Sequence, residues 1–265
     1  MEFTVSSLGF TCLTGKNMAL LTENFGIEVF YGWASEQYWL ELLERCFQGE
    51  RRGFSIHSPF DFYSMDSEIP DEKLFDYLSA PFDLYHRFHG SHYVVHTDSG
   101  GCREVGRYEK DWLRGRCIDR INRFSEICRK NGIGLVIENV PCPGGNGLFD
   151  QERFTGLFRQ NPELRALYDT GHGNMSGYDV RKLQSDLKEQ LAGYHIHDNF
   201  GAADSHLRIG KGNIDWRAFM EGVRRDTPNA SMVLEYNEAS LEDYENDRES
   251  LENFGEEETI WKSVR

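Results

Sequence analysis

The chain has 265 residues, 39% hydrophobic and 13% aromatic, enough for one large core or two small ones, and this composition excludes a disordered chain. A net charge of −15 argues against a general electrostatic grip on nucleic acid or on an anionic membrane. A nucleic-acid enzyme stays open on these grounds, because metal ions can bring positive charge to a reacting phosphate.

Short apolar runs alternate with amphipathic stretches along the whole chain. Phe3–Leu8 reads as a strand, followed by a helix near Asn17–Phe25. Ile27–Trp33 is a second strand, and Ser35–Phe47 is a helix opened by a serine cap. Gly53–His57 is a third strand. A long polar-aromatic loop then leads to a helix from Pro70 to about Phe88. Tyr93–His96 is the fourth strand, and the helix Tyr108–Lys130 stops at Asn131-Gly132. Strands at Gly134–Glu138, Leu164–Asp169, Tyr194–His197 and Met232–Glu235 follow. Their helices are Gln151–Arg159, Val180–Leu191, Asp215–Arg225 and an acidic one from Leu241 to Phe254.

Eight β-then-α units in about 250 residues are the count and size of an α/β (β/α)8 TIM barrel. No linker divides the chain, so a single domain over residues 1–265 is expected, with its active site at the C-terminal ends of the strands. A doubly wound open sheet is the alternative, but no Gly-x-Gly-x-x-Gly turn follows the first strand. No run reaches transmembrane length, and the N-terminus lacks a basic-then-apolar leader, so a soluble cytoplasmic protein without membrane contact is expected. The six cysteines are scattered, with no Cys-x-x-Cys pair, and read as free thiols.

The strand ends carry the chemistry. His57 ends the third run, His96 the fourth and Glu138 the fifth. Asp169 and His172 close the sixth, His195 the seventh and Glu235 the eighth. A lone His or Glu at such a position is usually a satisfied polar residue. Convergence of the whole set on one face of a barrel points to metal, because buried carboxylates need a cation or a proton. Imidazole with carboxylate suits zinc, manganese or cobalt. His197 lies two residues after His195, on the same face of a regular strand, and reads as a substrate-orienting or ligand-supporting residue. The turn at Gly210, Gly212 and Asn213 lets Asp204 and His206 bend back towards the strand ends. His86, His89 and His92 read as surface or capping residues. Asp179 reads as a helix cap, and the acidic C-terminal run as a solvated face.

The motifs SIHSPF, VVHTDSG, IENVP, YDTGH, HIHDN, DSHLRIGKGNIDW and LEYN resemble the xylose isomerase-like TIM-barrel superfamily. That superfamily includes sugar isomerases and epimerases as well as the endonuclease IV type of DNA-repair enzyme. The resemblance implies a core metal site at Glu138, Asp169, His195 and Glu235. The endonuclease IV pattern adds His57 and His96, with Glu138 as bridge, and a third group of His172, Asp204 and His206. The cofactor implied is one to three divalent ions of zinc, manganese, cobalt or magnesium. Arg208 stands where many relatives have proline, and would place a charge near an anionic substrate. The leading expectation is a metal-dependent isomerase or epimerase of a small carbohydrate, with Glu138 and Glu235 exchanging a proton through an enediolate. The alternative is an endonuclease IV-like multi-zinc phosphodiesterase. Nucleic acid is the less favoured partner, and a homo-oligomer stays open.

Overall fold

A computed structural model describes residues 2–9, 25–59, 62–101 and 104–254. Its eight parallel strands close in sequence order: β1 (Phe3–Ser6), β2 (Gly26–Phe30), β3 (Phe54–His57), β4 (Tyr93–His96), β5 (Leu135–Glu138), β6 (Arg165–Asp169), β7 (Leu191–Ile196) and β8 (Ser231–Leu234). β8 returns to pair with β1, so the expected TIM barrel is the observed fold. The described helices follow their strands. α1 (Glu36–Phe47) follows β2, and α2 (Asp71–Ser79) with α3 (Phe82–Arg87) follows β3. Then come α4 (Arg107–Lys130), α5 (Gln151–Gln160), the pair α6 (Thr170–Met175) and α7 (Val180–Leu187), α8 (Trp216–Asp226) and α9 (Leu241–Glu252). Nearly all of the helix expected at Asn17–Phe25 falls outside the described residues.

Two expectations need correction. The single helix expected from Pro70 to Phe88 is two helices, because Pro81 has no N–H to continue the ladder and its ring obstructs the preceding turn. The acidic C-terminal helix is not wholly solvated: Tyr244, Asp247 and Leu251 are buried in it. Its start is well specified, since Ser240 and Asp243 form a reciprocal capping box.

Strand alternation sorts the side chains. On β4, β5 and β6, Tyr93, Val95, Leu135, Ile137, Ala166 and Tyr168 join the large core beneath the helices. Val94, Val136 and Leu167 form a separate small cluster, two residues before His96, Glu138 and Asp169 on the same strands. Apolar filler thus closes the lumen on this side below the ligand-type residues. On β2 and β3 the corresponding positions are Glu28 and Ser55, both fully buried.

No described helix is long and apolar enough to cross a membrane. Cys46, Cys117, Cys128 and Cys142 are buried, and Cys12 and Cys102 lie outside the described residues.

Candidate metal centre

Parallel pairing aligns the strand ends, with His96 opposite Glu138 and Asp169 opposite His195. Three groups of donors result. In the first, the Nε2 atoms of His57 and His96 lie 3.0 Å apart. They stand 3.3 and 3.4 Å from Glu138 Oε2. In the second, His195 Nδ1 lies 3.4 Å from both Glu138 Oε1 and Glu235 Oε2, and 3.7 Å from Asp169 Oδ2. In the third, Asp204 Oδ2 is 3.1 Å from His172 Nε2 and 3.3 Å from His206 Nε2. Glu138 joins the first group to the second, and its Oε1 also lies 3.2 Å from His172 Nδ1.

Three of the imidazoles are aimed by the main chain. Nδ1 of His57 lies 2.9 Å from the carbonyl of Ser58, Nδ1 of His172 2.9 Å from that of Asn139, and Nδ1 of His206 3.0 Å from that of Glu235. A carbonyl oxygen only accepts, so each Nδ1 carries the proton and each Nε2 turns its lone pair into the site. Asp169 is positioned by its place at the start of α6: Oδ1 caps the helix by accepting from His172 N, and Oδ2 lies 2.9 Å from His197 Nε2.

Charge makes the same demand. Burial alone would raise the Glu138 carboxyl, but facing imidazoles, His195 and His96 foremost, hold it well below the usual carboxylate range. Burial would likewise lower His195 and His172; the carboxylates around them outweigh this and push both well up. His206 is pushed up to about 9, Asp204 and Glu235 outweighing its desolvation. His96 moves down, burial dominating over Glu138. Neither oxygen of Glu138 receives an aligned hydrogen bond, although the residue is 1% exposed, and both ring nitrogens of His195 lack one too. Buried lone pairs converging without donors fit divalent cations.

The loop after β7 carries Asp204 and His206, and Asp198 holds it. Asp198 Oδ2 accepts from Trp216 Nε1 at 2.9 Å and from Gly210 N at 3.0 Å; Oδ1 accepts from Ile214 N at 3.2 Å and Asn199 N at 2.9 Å. The main chains of Asp198 and Leu207 also bridge at 2.7 and 2.9 Å. His197 stacks on His206 with ring centroids 3.9 Å apart, which places it behind the third group.

The structure therefore brings together Glu138, Asp169, His195, Glu235, His57, His96, His172, Asp204 and His206, with His197 beside them. Arg208 is placed elsewhere. Its guanidinium contacts Asp243 and Asp247 on α9 and is not among the described residues lining the pocket. His86 and His89 are exposed, but His92 is buried, with Nε2 3.5 Å from Glu28 Oε2. The surface reading fails for His92 because it immediately precedes β4 and enters the lumen with that strand. The sequence alone did not single out Glu28 and assigned no role to Asp198. An acidic residue inside the apolar run GIEVF was the available signal for Glu28.

The site opens into a pocket of about 580 Å³. Phe30, Phe62, Tyr63 and Met65 supply its apolar wall, and Glu138, His172, Asp204, His206 and Glu235 line the polar side. Among the described residues lining it there is no Lys or Arg.

A family model described as xylose isomerase-like TIM barrel matches residues 6–256. An uncharacterized protein of Methanocaldococcus jannaschii is 27% identical over 198 residues, 72% of each chain. A probable endonuclease 4 of Thermotoga maritima is 32% identical over 162 residues, 52% of this chain and only 56% of that relative's length. Among solved structures, a D-tagatose 3-epimerase-like protein superposes with a TM-score of 0.78 at 22% identity, covering 96% of each chain. A Thermus thermophilus protein soaked with zinc chloride gives 0.73 at 20% identity, over 98% of this chain and 100% of its own. At these identities the structural likeness speaks for the fold.

Proposed function

Because the chain belongs to the xylose isomerase-like TIM-barrel family, we propose that it is a divalent-metal phosphoesterase with a polynuclear centre built around Glu138. His57, His96 and Glu138 would hold one ion; Glu138, Asp169, His195 and Glu235 a second; His172, Asp204 and His206 a third. Zinc, manganese, cobalt or magnesium are the candidates, and zinc suits the imidazole-rich outer groups best. One observation carries the reading: both outer groups have a full set of donor side chains, with the Nε2 lone pairs of His57, His172 and His206 aimed by main-chain carbonyls. An isomerase needs only the central four.

Ions bound there would neutralise a phosphoester and lower the pKa of water enough for attack near neutral pH. The chain's own residues arrange the rest. Ser6 Oγ donates to Glu235 Oε1 at 3.0 Å, which leaves Oε2 on the side of His195 and the pocket, placed to take a proton. Phe62, Tyr63 and Met65 shield one side of the site from water. With no Lys or Arg among the described lining residues, the phosphate charge would fall to the ions. A small phosphoester suits a 580 Å³ pocket in a chain of net charge −15 better than a long polyanion does.

The test is metal content per chain, followed by assay of the loaded protein on bis(p-nitrophenyl) phosphate and on an abasic-site duplex. Two or three ions with hydrolysis of the small diester support the reading. One ion with no phosphoester cleavage refutes it. Efficient incision of the duplex would make DNA the substrate.

The isomerase or epimerase that the sequence alone favours becomes the second reading. It is supported by Glu138 and Glu235 lining the same pocket, two carboxylates able to exchange a substrate proton. Exchange of a ketose C–H with deuterated solvent, lost in both Glu138→Gln and Glu235→Gln, is the result that would favour it.

A further inference from the structure

His57, His172 and His206 have Nδ1 against a main-chain carbonyl and present Nε2. His195 is turned the other way. It is fully buried, its Nδ1 faces Glu138 and Glu235 at 3.4 Å, and neither of its ring nitrogens nor Glu28 Oε1 has an aligned hydrogen bond, so distance is what tells the two sides of the ring apart. The shortest of its carboxylate contacts is on the opposite side of the ring, where Glu28 Oε1 lies 2.9 Å from Nε2. Glu28 sits in β2 opposite Ser55 of β3, and the Ser55 hydroxyl donates to its Oε2 at 2.8 Å. His92 Nε2 is 3.5 Å from that same oxygen. Oε2 is therefore engaged, and Oε1 is left to His195.

A neutral imidazole carries one N–H. On Nδ1, that proton would occupy the side facing Glu138 and Glu235, and the bare lone pair of Nε2 would oppose a carboxylate oxygen at 2.9 Å. On Nε2, it meets Glu28 and frees Nδ1. We propose that Glu28 is a positioning residue for the central ion: it holds His195 as the Nε2–H tautomer, so that Nδ1 is the atom offered alongside Glu138, Asp169 and Glu235. The inference rests on the reading that these residues hold a metal. A carboxylate behind a metal-binding imidazole fixes its orientation and raises its basicity, and losing it typically costs about 10- to 100-fold in metal affinity.

The test uses the full chain stripped by chelator, as wild type, Glu28→Ala and Glu28→Gln. Each is titrated with cobalt(II) and with zinc, and the zinc-loaded proteins are examined by ¹⁵N NMR of labelled histidine. Expected for Glu28→Ala is central-ion binding weaker by about 10- to 100-fold, with the outer ions unaffected. At saturation its cobalt absorption should match wild type, because the ligands are the same. Glu28→Gln keeps an oxygen acceptor of the same shape and should lose less. The wild-type spectrum should show the His195 proton on Nε2.

Three results overturn the proposal: wild-type affinity in a folded Glu28→Ala protein, a changed cobalt spectrum at saturation (which would make Glu28 a ligand), or a proton on Nδ1. Wild-type protein that takes up no central ion would sink the metal reading together with this inference. Failure of the inference alone leaves wild-type uptake intact, so the two failures are distinguishable.

Discussion

His57 and His96, on neighbouring strands, point their Nε2 atoms at each other across 3.0 Å, with Glu138 Oε2 within 3.4 Å of both. The proton of His57 is committed to the Ser58 carbonyl on the other side of its ring. A bare lone pair in that position repels both neighbours unless a cation or a shared proton sits among them. His57→Ala or His96→Ala should therefore each lose one ion per chain while the other ions stay, and hydrolysis should fall by about 100-fold or more. Metal analysis beside the kinetics checks this; full metal content in both variants would contradict it.

In the metal-free protein His206 acts as a proton store. His206 is pushed up from 6.5 to about 9 in the folded chain. A group raised in this way contributes its stability in full below its unfolded value of about 6.5, and loses it as pH rises through about 9. Chelated protein should accordingly melt at lower temperature at pH 9.5 than at pH 6. Zinc should flatten the profile and release protons on binding. Thermal melts across that range, with a pH-indicator titration of zinc, provide the measurement; a flat profile without metal would count against the assignment.

Gly171 leaves room for a ring. A Cβ there would fall 2.0 Å from Cε1 of His197, the ring that touches Asp169 and stacks on His206. Gly171→Ala should displace His197, weaken the His172, Asp204 and His206 group, and cost about 1–3 kcal/mol of stability. Urea denaturation and zinc stoichiometry would show both effects.

Asp198 touches none of the proposed ions, yet it should matter as much as one of their ligands. Four N–H groups spread from Asn199 to Trp216 converge on its carboxylate, which is fully buried. Asp198→Ala strands those donors and should destabilise the chain by about 2–4 kcal/mol, with loss of the ion at Asp204 and His206. Asp198→Asn, which keeps one oxygen acceptor, should fall between the two.

Arg208 should behave oppositely. Its guanidinium is tied to Asp243 and Asp247 and lies outside the described pocket lining. Arg208→Ala should lower stability by about 1 kcal/mol, as a partly exposed ion pair does, and leave KM unchanged. A large rise in KM would restore the substrate-binding role that its position in the sequence suggests.

These contrasts mark how far the residues could be read without the fold. His57, His96, Glu138, Asp169, His195 and Glu235 were legible because each ends an apolar run, and a closed parallel barrel puts all such ends on one face. His172, Asp204 and His206 needed the family's motifs as well, since a helix and a loop carry them. Glu28 was hidden by its neighbours. In GIEVF an acidic residue between apolar ones reads as the solvent side of an alternating strand, whereas here it faces the lumen. The burial of His92 and the ion pairs of Arg208 were not foreseen because their partners, Glu28 and Asp247, are 64 and 39 residues distant in sequence. The break at Pro81 was visible in principle, and the helical pattern on either side masked it.

The way the histidines are held also bears on how the centre can change over time. For His57, His172 and His206 the aiming group is a peptide carbonyl, present whatever side chain stands at Ser58, Asn139 or Glu235. No single codon change at those positions removes it. His195, by contrast, has its shortest contact with a side chain, Glu28, and one substitution can erase it. Divergence among barrels of this construction would therefore have an inexpensive point of entry at the innermost corner of the site, while His57, His172 and His206 hold their orientation through sequence drift.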